Sequence, residues 1–356
     1  MYFPREQEVS IFDAKFIAES FLRAGLKPMI HGSPGIGKSA VARQIAKENN
    51  LKLIDLRLTQ MDPADLNGLP NLSGERAKFQ VFEQFPLVGD ELPINPETNE
   101  TYAGWLLFLD ELTSADDDRQ AAAYKLILDR QIGNEDLHPK CLVMGAGNLE
   151  TDGAIVNPMS SALISRLHHI VVRNDLKRWL QIVAPKLDIA TKVQAFLEFS
   201  PRAFYTFDPQ NSGRVYACPR TWEDFSKWFL KMSPEQDPRA LDDMLNLAAA
   251  MGIIGTVATD FKSFLAYFGR LPSLEEILTS PSTIHVPKDE PGLMFAMCSM
   301  LADNAKVDNI EKILIFLDRF NPDHMVITLR MACQRNKGLI QNPKIAEWVK
   351  KNLNMF

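Results

Sequence analysis

The sequence predicts an α/β protein, with a parallel sheet interleaved with helices over residues 1–173 and a helical remainder. Three observations carry this. Short apolar runs of strand character alternate with amphipathic helical runs as far as Arg173. A glycine-rich loop, "GSPGIGKS" at 32–39, joins the first such run to a helix-forming one. Beyond Arg173 the strand signals fade.

Taken in order, residues 11–24 read as an amphipathic helix with Phe12, Phe16, Ile17 and Phe21 on its apolar side. Strands are expected at 28–31, 53–58, 105–109, 141–146 and 169–172, making a parallel five-stranded sheet. Helices are expected at 38–48, directly after the loop, and at 117–132, where acidic residues favour the start and Gly133 supplies the stop. Between the second and third strands, residues 59–104 are rich in Pro, Asn and Gly. A connection that long is expected to hold small elements of its own, with a hairpin over 69–83 turning at Ser73-Gly74. Residues 175–269 read as helical, 271–292 as a Pro/Ser-rich connector, and 293–356 as helical again.

Composition narrows the function classes. Apolar residues make up 46% and charged residues 24% of the 356, ordinary values for a globular chain large enough for two or three domains. The net charge of −6 supplies no overall basic field, which argues against nucleic acid or an anionic membrane as the partner. The cysteines, Cys141, Cys218, Cys298 and Cys333, form no C-x-x-C. They fit reduced thiols in a cytoplasmic protein and offer no zinc site. The opening "MYFPREQEVS" does not read as a signal peptide, and the longest apolar run, 247–258, is too short to span a bilayer.

The loop has the full G-x-x-x-x-G-K-[ST] spacing in Gly32, Gly37, Lys38 and Ser39. Glycines let the backbone curl so that successive N–H groups face a phosphate, and the next helix aims its positive end at the same anion. The expected nucleotide-binding segment is therefore Gly32, Ser33, Pro34, Gly35, Ile36, Gly37, Lys38, Ser39 and Ala40. Lys38 would reach the β and γ phosphates of ATP, and Ser39 would offer its hydroxyl to Mg²⁺.

"WLLFLDELTSA" at 105–115 is an apolar strand that delivers Asp110 and Glu111 to its C-terminal edge, where ligands collect in such sheets. Asp110 would hold Mg²⁺ through water, together with Ser39. Glu111 would orient and polarise the attacking water. "CLVMGAGN" ends a further strand in Asn148, either an amide for the γ-phosphate or the water, or a plain turn residue. Arg166 lies between a helix and a strand, where it is either functional or an ordinary surface arginine. Arg220 stands at the start of a helix whose packing stripe is Trp222, Phe225 and Phe229.

This ordered set resembles an AAA+ ATPase, and more narrowly a MoxR-type ATPase of the dynein-related group. The resemblance rests on "QMDPADLNGLP" (60–70), "LFLDELTSADDDRQAAAYKLILDRQIG" (107–133), "GAGNLETDGAIVNPMSSALISRLHHIVV" (145–172) and "CPRTWEDFSKWF" (218–229), and it covers most of residues 27–230. It implies an AAA+ core over 1–173 with a helix-2 insert within 59–104, a helical lid over 174–270 and a helical C-terminal extension over 271–356. It also implies a homo-oligomeric ring, usually of six subunits, with ATP between neighbours. By that resemblance Asn148 is the sensor 1 residue, Arg166 the arginine finger and Arg220 the sensor 2 arginine. The insert is a pore-facing hairpin whose aromatic candidates, Phe79 and Phe82, read equally as residues of a small local core, and 131–141 holds a second hairpin.

Members of the group remodel or activate a client protein, generally with a von Willebrand factor A partner. No D-x-S-x-S motif occurs here, so that partner would be a separate chain. The alternatives are a nucleic-acid motor or restriction-type NTPase, and a nucleotide-gated scaffold. Adjacent His168 and His169 face opposite sides of a strand and so cannot share one metal ion. "NKGL" at 336–339 lacks the aspartate of a guanine-selective motif, which favours ATP.

Overall fold

The computed structural model describes residues 8–73, 78–152, 157–211, 214–232 and 243–351. They form two compact units divided after Asp175, with a short stretch from Asp208 grouping with the first.

The first unit is built on a parallel sheet. Its strands are β1 (Val9–Ser10), β2 (Pro28–His31), β3 (Leu51–Arg57), β6 (Gly104–Asp110), β9 (Cys141–Gly147) and β10 (His168–Arg173). They lie in the order β1-β10-β2-β9-β6-β3. The sheet therefore has six strands, one more than expected. Val9 and Ser10 pair in parallel with Val172 and Arg173 at one edge. Two residues carry no periodic signal, so this strand exists only through its pairing. The third strand also starts earlier than expected, at Leu51, because all seven residues through Arg57 pair with β6.

The central strands are apolar throughout because both faces are covered. From Gly104 to Leu109 every residue of β6 is buried. Leu107 and Leu109 join Met29, Ile54, Leu56 and Val143 in one core with Ala122, Ala123, Leu126 and Ile127 of helix α4 (Asp117–Leu128). Their sequence neighbours point the other way, where helices α1 (Ile11–Arg23) and α2 (Lys38–Glu48) pack on the sheet.

The face that α1 buries differs from the expected one. Ile11, Ala14, Ala18 and Leu22 are buried, whereas Phe16 is 74% exposed. Two alanines let the helix lie close to the sheet, and the phenylalanines fall to its flanks. Helix α4 is shorter than expected. It ends at Leu128, and Gln131–Ile132 (β7) pairs instead with Glu135–Asp136 (β8) in the hairpin that the resemblance placed there. Arg130 and Gly133 both take positive φ to make those turns, and Lys125 donates to the Gly133 carbonyl.

The connection over 59–104 does hold small elements: α3 (Pro63–Asn67) and the hairpin of β4 (Leu69–Asn71) with β5 (Lys78–Gln80). Ser73 is described, while Gly74 of the expected turn lies outside the described residues. Phe79 and Phe82 are exposed, and Phe85 is the buried aromatic of this stretch.

The second unit is helical. Phe196, Trp222, Phe225, Phe261 and Phe264 form a buried aromatic cluster in which rings meet at 5.1–5.9 Å. A second core gathers side chains from Ile277 through Ile345, centred on the helices Pro291–Asn304, Ile310–Leu317 and Pro322–Arg335. No helix among the described residues is long and apolar enough to cross a membrane.

Candidate nucleotide site

The phosphate loop leaves β2 at His31 and enters α2 at Lys38. Gly35 and Gly37 have φ of +80° and +107°, a region side chains disfavour, so the curl of this loop requires glycine at both points. Lys38 is 8% exposed and its ammonium is held inside the curl. It donates to the carbonyls of Gly32 (2.5 Å) and Ser33 (3.1 Å) and to Asn148 Oδ1 (2.9 Å). Asn148, at the end of β9, and Lys38, at the end of the loop, thus meet across the sheet edge.

Ser39 donates to Asp110 Oδ2 at 2.7 Å. A hydroxyl beside a carboxylate, at the mouth of a loop of backbone donors, is the hard-oxygen donor set that Mg²⁺ on a nucleoside phosphate prefers. The side chains present therefore fit a magnesium nucleotide. Just past Asp110, Glu111 takes φ of +60°, uncommon for a residue with a side chain. Its amide is held by Asp110 Oδ1 at 2.9 Å, and its carboxylate accepts from the Thr59 hydroxyl. The next amide, of Leu112, returns to the Ala146 carbonyl of β9, which closes the turn. Asp55, on the neighbouring strand, has its carboxyl pushed above the usual range by burial and then by the charge of Asp110.

Three contacts at this site have no linear signal. Asp152, 5% exposed, accepts from Ser33 Oγ (2.8 Å) and from the Leu149 amide (3.0 Å), tying the phosphate loop to the segment after Asn148. Thr113 donates to the Asn148 carbonyl at 3.2 Å. It lies so near Gly147 that a Cβ there would sit 2.3 Å from its hydroxyl. Thr59 holds Glu111, as described. An "LETD" turn and two ordinary threonines do not announce such roles.

Arg166 follows helix α5 (Ser161–Ile164) and is exposed. Among the described residues its guanidinium hydrogen-bonds within its own turn, to Ala162 O (3.4 Å) and Ser165 Oγ (3.2 Å). It is not brought to the Lys38–Asn148 cluster. Arg220 belongs to the second unit, where it is exposed in the first turn of the helix Pro219–Lys231. His168 and His169 do turn to opposite faces: His168 packs against Phe21 of α1 with the rings tilted by 56°, and His169 meets His31.

Residues 28–167 match the AAA domain of the dynein-related subfamily. The resemblance read from the sequence holds over that segment, and the first unit has the parallel α/β architecture expected of it. Among solved structures, the Thermotoga maritima RuvB Holliday junction branch migration motor is 18% identical with a TM-score of 0.38, over 76% of each chain. A variant of Thermotoga maritima RuvB is 15% identical with a TM-score of 0.35, over 87% of this chain and 88% of that one. No match to a curated protein was found.

Proposed function

We propose that the protein is an ATPase of MoxR type, whose first unit binds Mg-ATP and hydrolyses it in a homo-oligomeric, six-membered ring. The observation that carries the reading is the convergence of Lys38, Asn148, Ser39 and Asp110 on one sheet edge. In this reading the backbone of Gly32 to Gly37 cradles the phosphates, and Lys38 turns from its carbonyl acceptors to the β and γ oxygens. Ser39 and Asp110 hold Mg²⁺, which supplies charge neutralisation of the phosphates. Glu111 polarises the attacking water and Asn148 orients it or the γ-phosphate.

Arg166, exposed and permanently charged, serves a neighbour's γ-phosphate rather than its own. Arg220 acts as the sensor 2 arginine of a lid spanning 174–270, and 271–356 forms a helical extension. The output is remodelling or activation of a client protein in the cytoplasm. A separate von Willebrand factor A protein is the expected partner, and the exposed Leu69, Leu72 and Phe79 of the insert hairpin are a suitable client contact.

The test is a mixing experiment. Arg166→Ala and Glu111→Gln are each expected to bind ATP and to turn over at less than about a tenth of the wild-type rate. Mixed together, they should regain partial activity, because some interfaces then pair an intact Glu111 with an intact Arg166 from the neighbour. Wild-type turnover by Arg166→Ala would remove the assignment of Arg166 as the finger in trans and leave it an ordinary surface arginine. A several-fold rise in turnover on adding DNA at physiological salt would replace the client reading with a nucleic-acid motor.

A further inference from the structure

His31 is the last residue before the phosphate loop, and it is 5% exposed. It lies opposite Val171 in the sheet, so His169, two residues earlier on β10, projects from the same face. Their rings meet, with His31 Nε2 and His169 Nδ1 2.7 Å apart and centroids at 5.0 Å. On its far side, His169 Nε2 is 2.9 Å from the carbonyl oxygen of Ile164, the last residue of α5.

The chemistry of these atoms fixes the direction of the chain. A carbonyl oxygen only accepts, so His169 Nε2 carries the proton and donates to Ile164. In a neutral ring Nδ1 is then an acceptor, so His31 Nε2 carries a proton and donates to it. Burial disfavours the charged form of both rings: it pushes His31 down to about 3 and lowers His169 as well. The pair is a neutral, tautomer-locked tie from the strand that opens the phosphate loop to the helix that presents Arg166. Arg166 follows Ile164 by two residues, and its amide bonds back to Leu163 within the same turn.

We propose that His169 is a positioning residue for Arg166: backed by His31, it sets the end of α5 relative to the phosphate loop, and so couples the nucleotide held by one subunit to the arginine that the subunit offers its neighbour. This rests on the ring reading given above. It differs from a merely packed histidine pair in one respect. A packing role lowers stability or nucleotide affinity, whereas a positioning role lowers turnover at the neighbour's site.

Two substitutions separate the two bonds. His169→Gln keeps an amide donor at the ε position, within reach of Ile164. His169→Asn keeps a δ acceptor toward His31 and loses that reach. Both are expected to bind a fluorescent ATP analogue within about threefold of wild type. His169→Asn should lose about tenfold in kcat with KM unchanged, and His169→Gln should keep most of it. Mixed with Glu111→Gln, the His169→Asn protein should regain activity, because its own site then faces an intact Arg166 on the other subunit.

Wild-type kcat in His169→Asn, while Arg166→Ala is inactive, overturns the positioning role and leaves the ring standing. Failure of the mixture to recover, when Arg166→Ala mixed the same way does recover, places the defect in the variant's own site and also overturns it. An active Arg166→Ala instead removes the finger role of Arg166 on which this proposal rests. If His169→Asn does not fold, His31→Leu carries the same three measurements from the other end of the tie, with kcat expected to fall several-fold at unchanged affinity.

Discussion

The hydroxyl of Thr59, two residues past strand β3, donates to the carboxylate of Glu111, the residue that follows β6. A hydrogen bond to a charged group is worth ~1.5–3 kcal/mol, enough to decide which way a half-buried side chain points. Thr59→Val removes the donor and keeps the shape. Basal ATP hydrolysis is expected to rise, by up to about tenfold if release of Glu111 limits the rate, with ATP affinity unchanged. A steady-state assay at saturating ATP checks this, and an unchanged or lower rate would show that Thr59 does not restrain Glu111.

Lys38 and Glu111 should fail in different ways. Lys38→Ala removes the cation that Gly32, Ser33 and Asn148 hold in the loop, and it should weaken ATP binding at least about tenfold. Glu111→Gln keeps the shape but cannot take the water's proton, so binding should stay near wild type. Equilibrium binding measured beside turnover separates the two. Equal loss of affinity in both would remove the distinction between a binding and a chemical role.

The buried histidine pair gives the fold an acid limit. His31 is a base whose folded-state pKa is depressed, from 6.5 to about 3. As pH falls below 6.5 the unfolded chain takes up a proton that the folded chain refuses, so stability present above 6.5 is lost progressively toward 3. The slope is about 1.4 kcal/mol per pH unit for this one proton. Denaturant titrations at pH 7 and pH 5.5 should show the loss for wild type and a shallower slope for His31→Leu. Identical slopes would mean that the ring is protonated in the folded state.

In the second unit, Arg330 is 5% exposed and pairs with Glu198 at 2.5 Å, joining the helix Thr191–Phe199 to Pro322–Arg335. Removing one partner leaves a buried charge, so Glu198→Ala should cost ~3–5 kcal/mol. Glu198→Leu combined with Arg330→Met should recover much of that, since both charges are then gone. Chemical denaturation of the two variants checks it. A double variant as unstable as the single one would mean that the pair contributes shape rather than charge balance.

What could be read from the sequence is what is local along it. The phosphate loop, the strand that ends in Asp110-Glu111 and the glycine-flanked Asn148 are each contiguous, and their spacing carries the chemistry. What could not be read lies across strands. Thr59 and Glu111 are 52 residues apart, Ser33 and Asp152 are 119 apart, and His31 and His169 are 138 apart. Each residue is unremarkable in its own segment, and only the parallel stacking of β3, β6, β9, β2 and β10 brings the partners together. Helix α4 ends earlier than its sequence pattern predicts for the same reason. Its propensity runs on to Ile132, but Ile132 is fully buried as part of the small hairpin, and that packing outweighs one more helical turn.

Strand β6 is buried from Gly104 to Leu109 and is clamped by β3 on one side and β9 on the other. The backbone that carries Asp110 and Glu111 is therefore not a moving part. The freedom left at Glu111 is rotation about its own side-chain bonds, held back by the Thr59 hydroxyl. Any control over hydrolysis exerted through this residue is then a matter of how often the carboxylate faces the loop. A signal from elsewhere in the assembly would need only to shift that occupancy, by changing the competition for one hydroxyl, and would leave the sheet untouched.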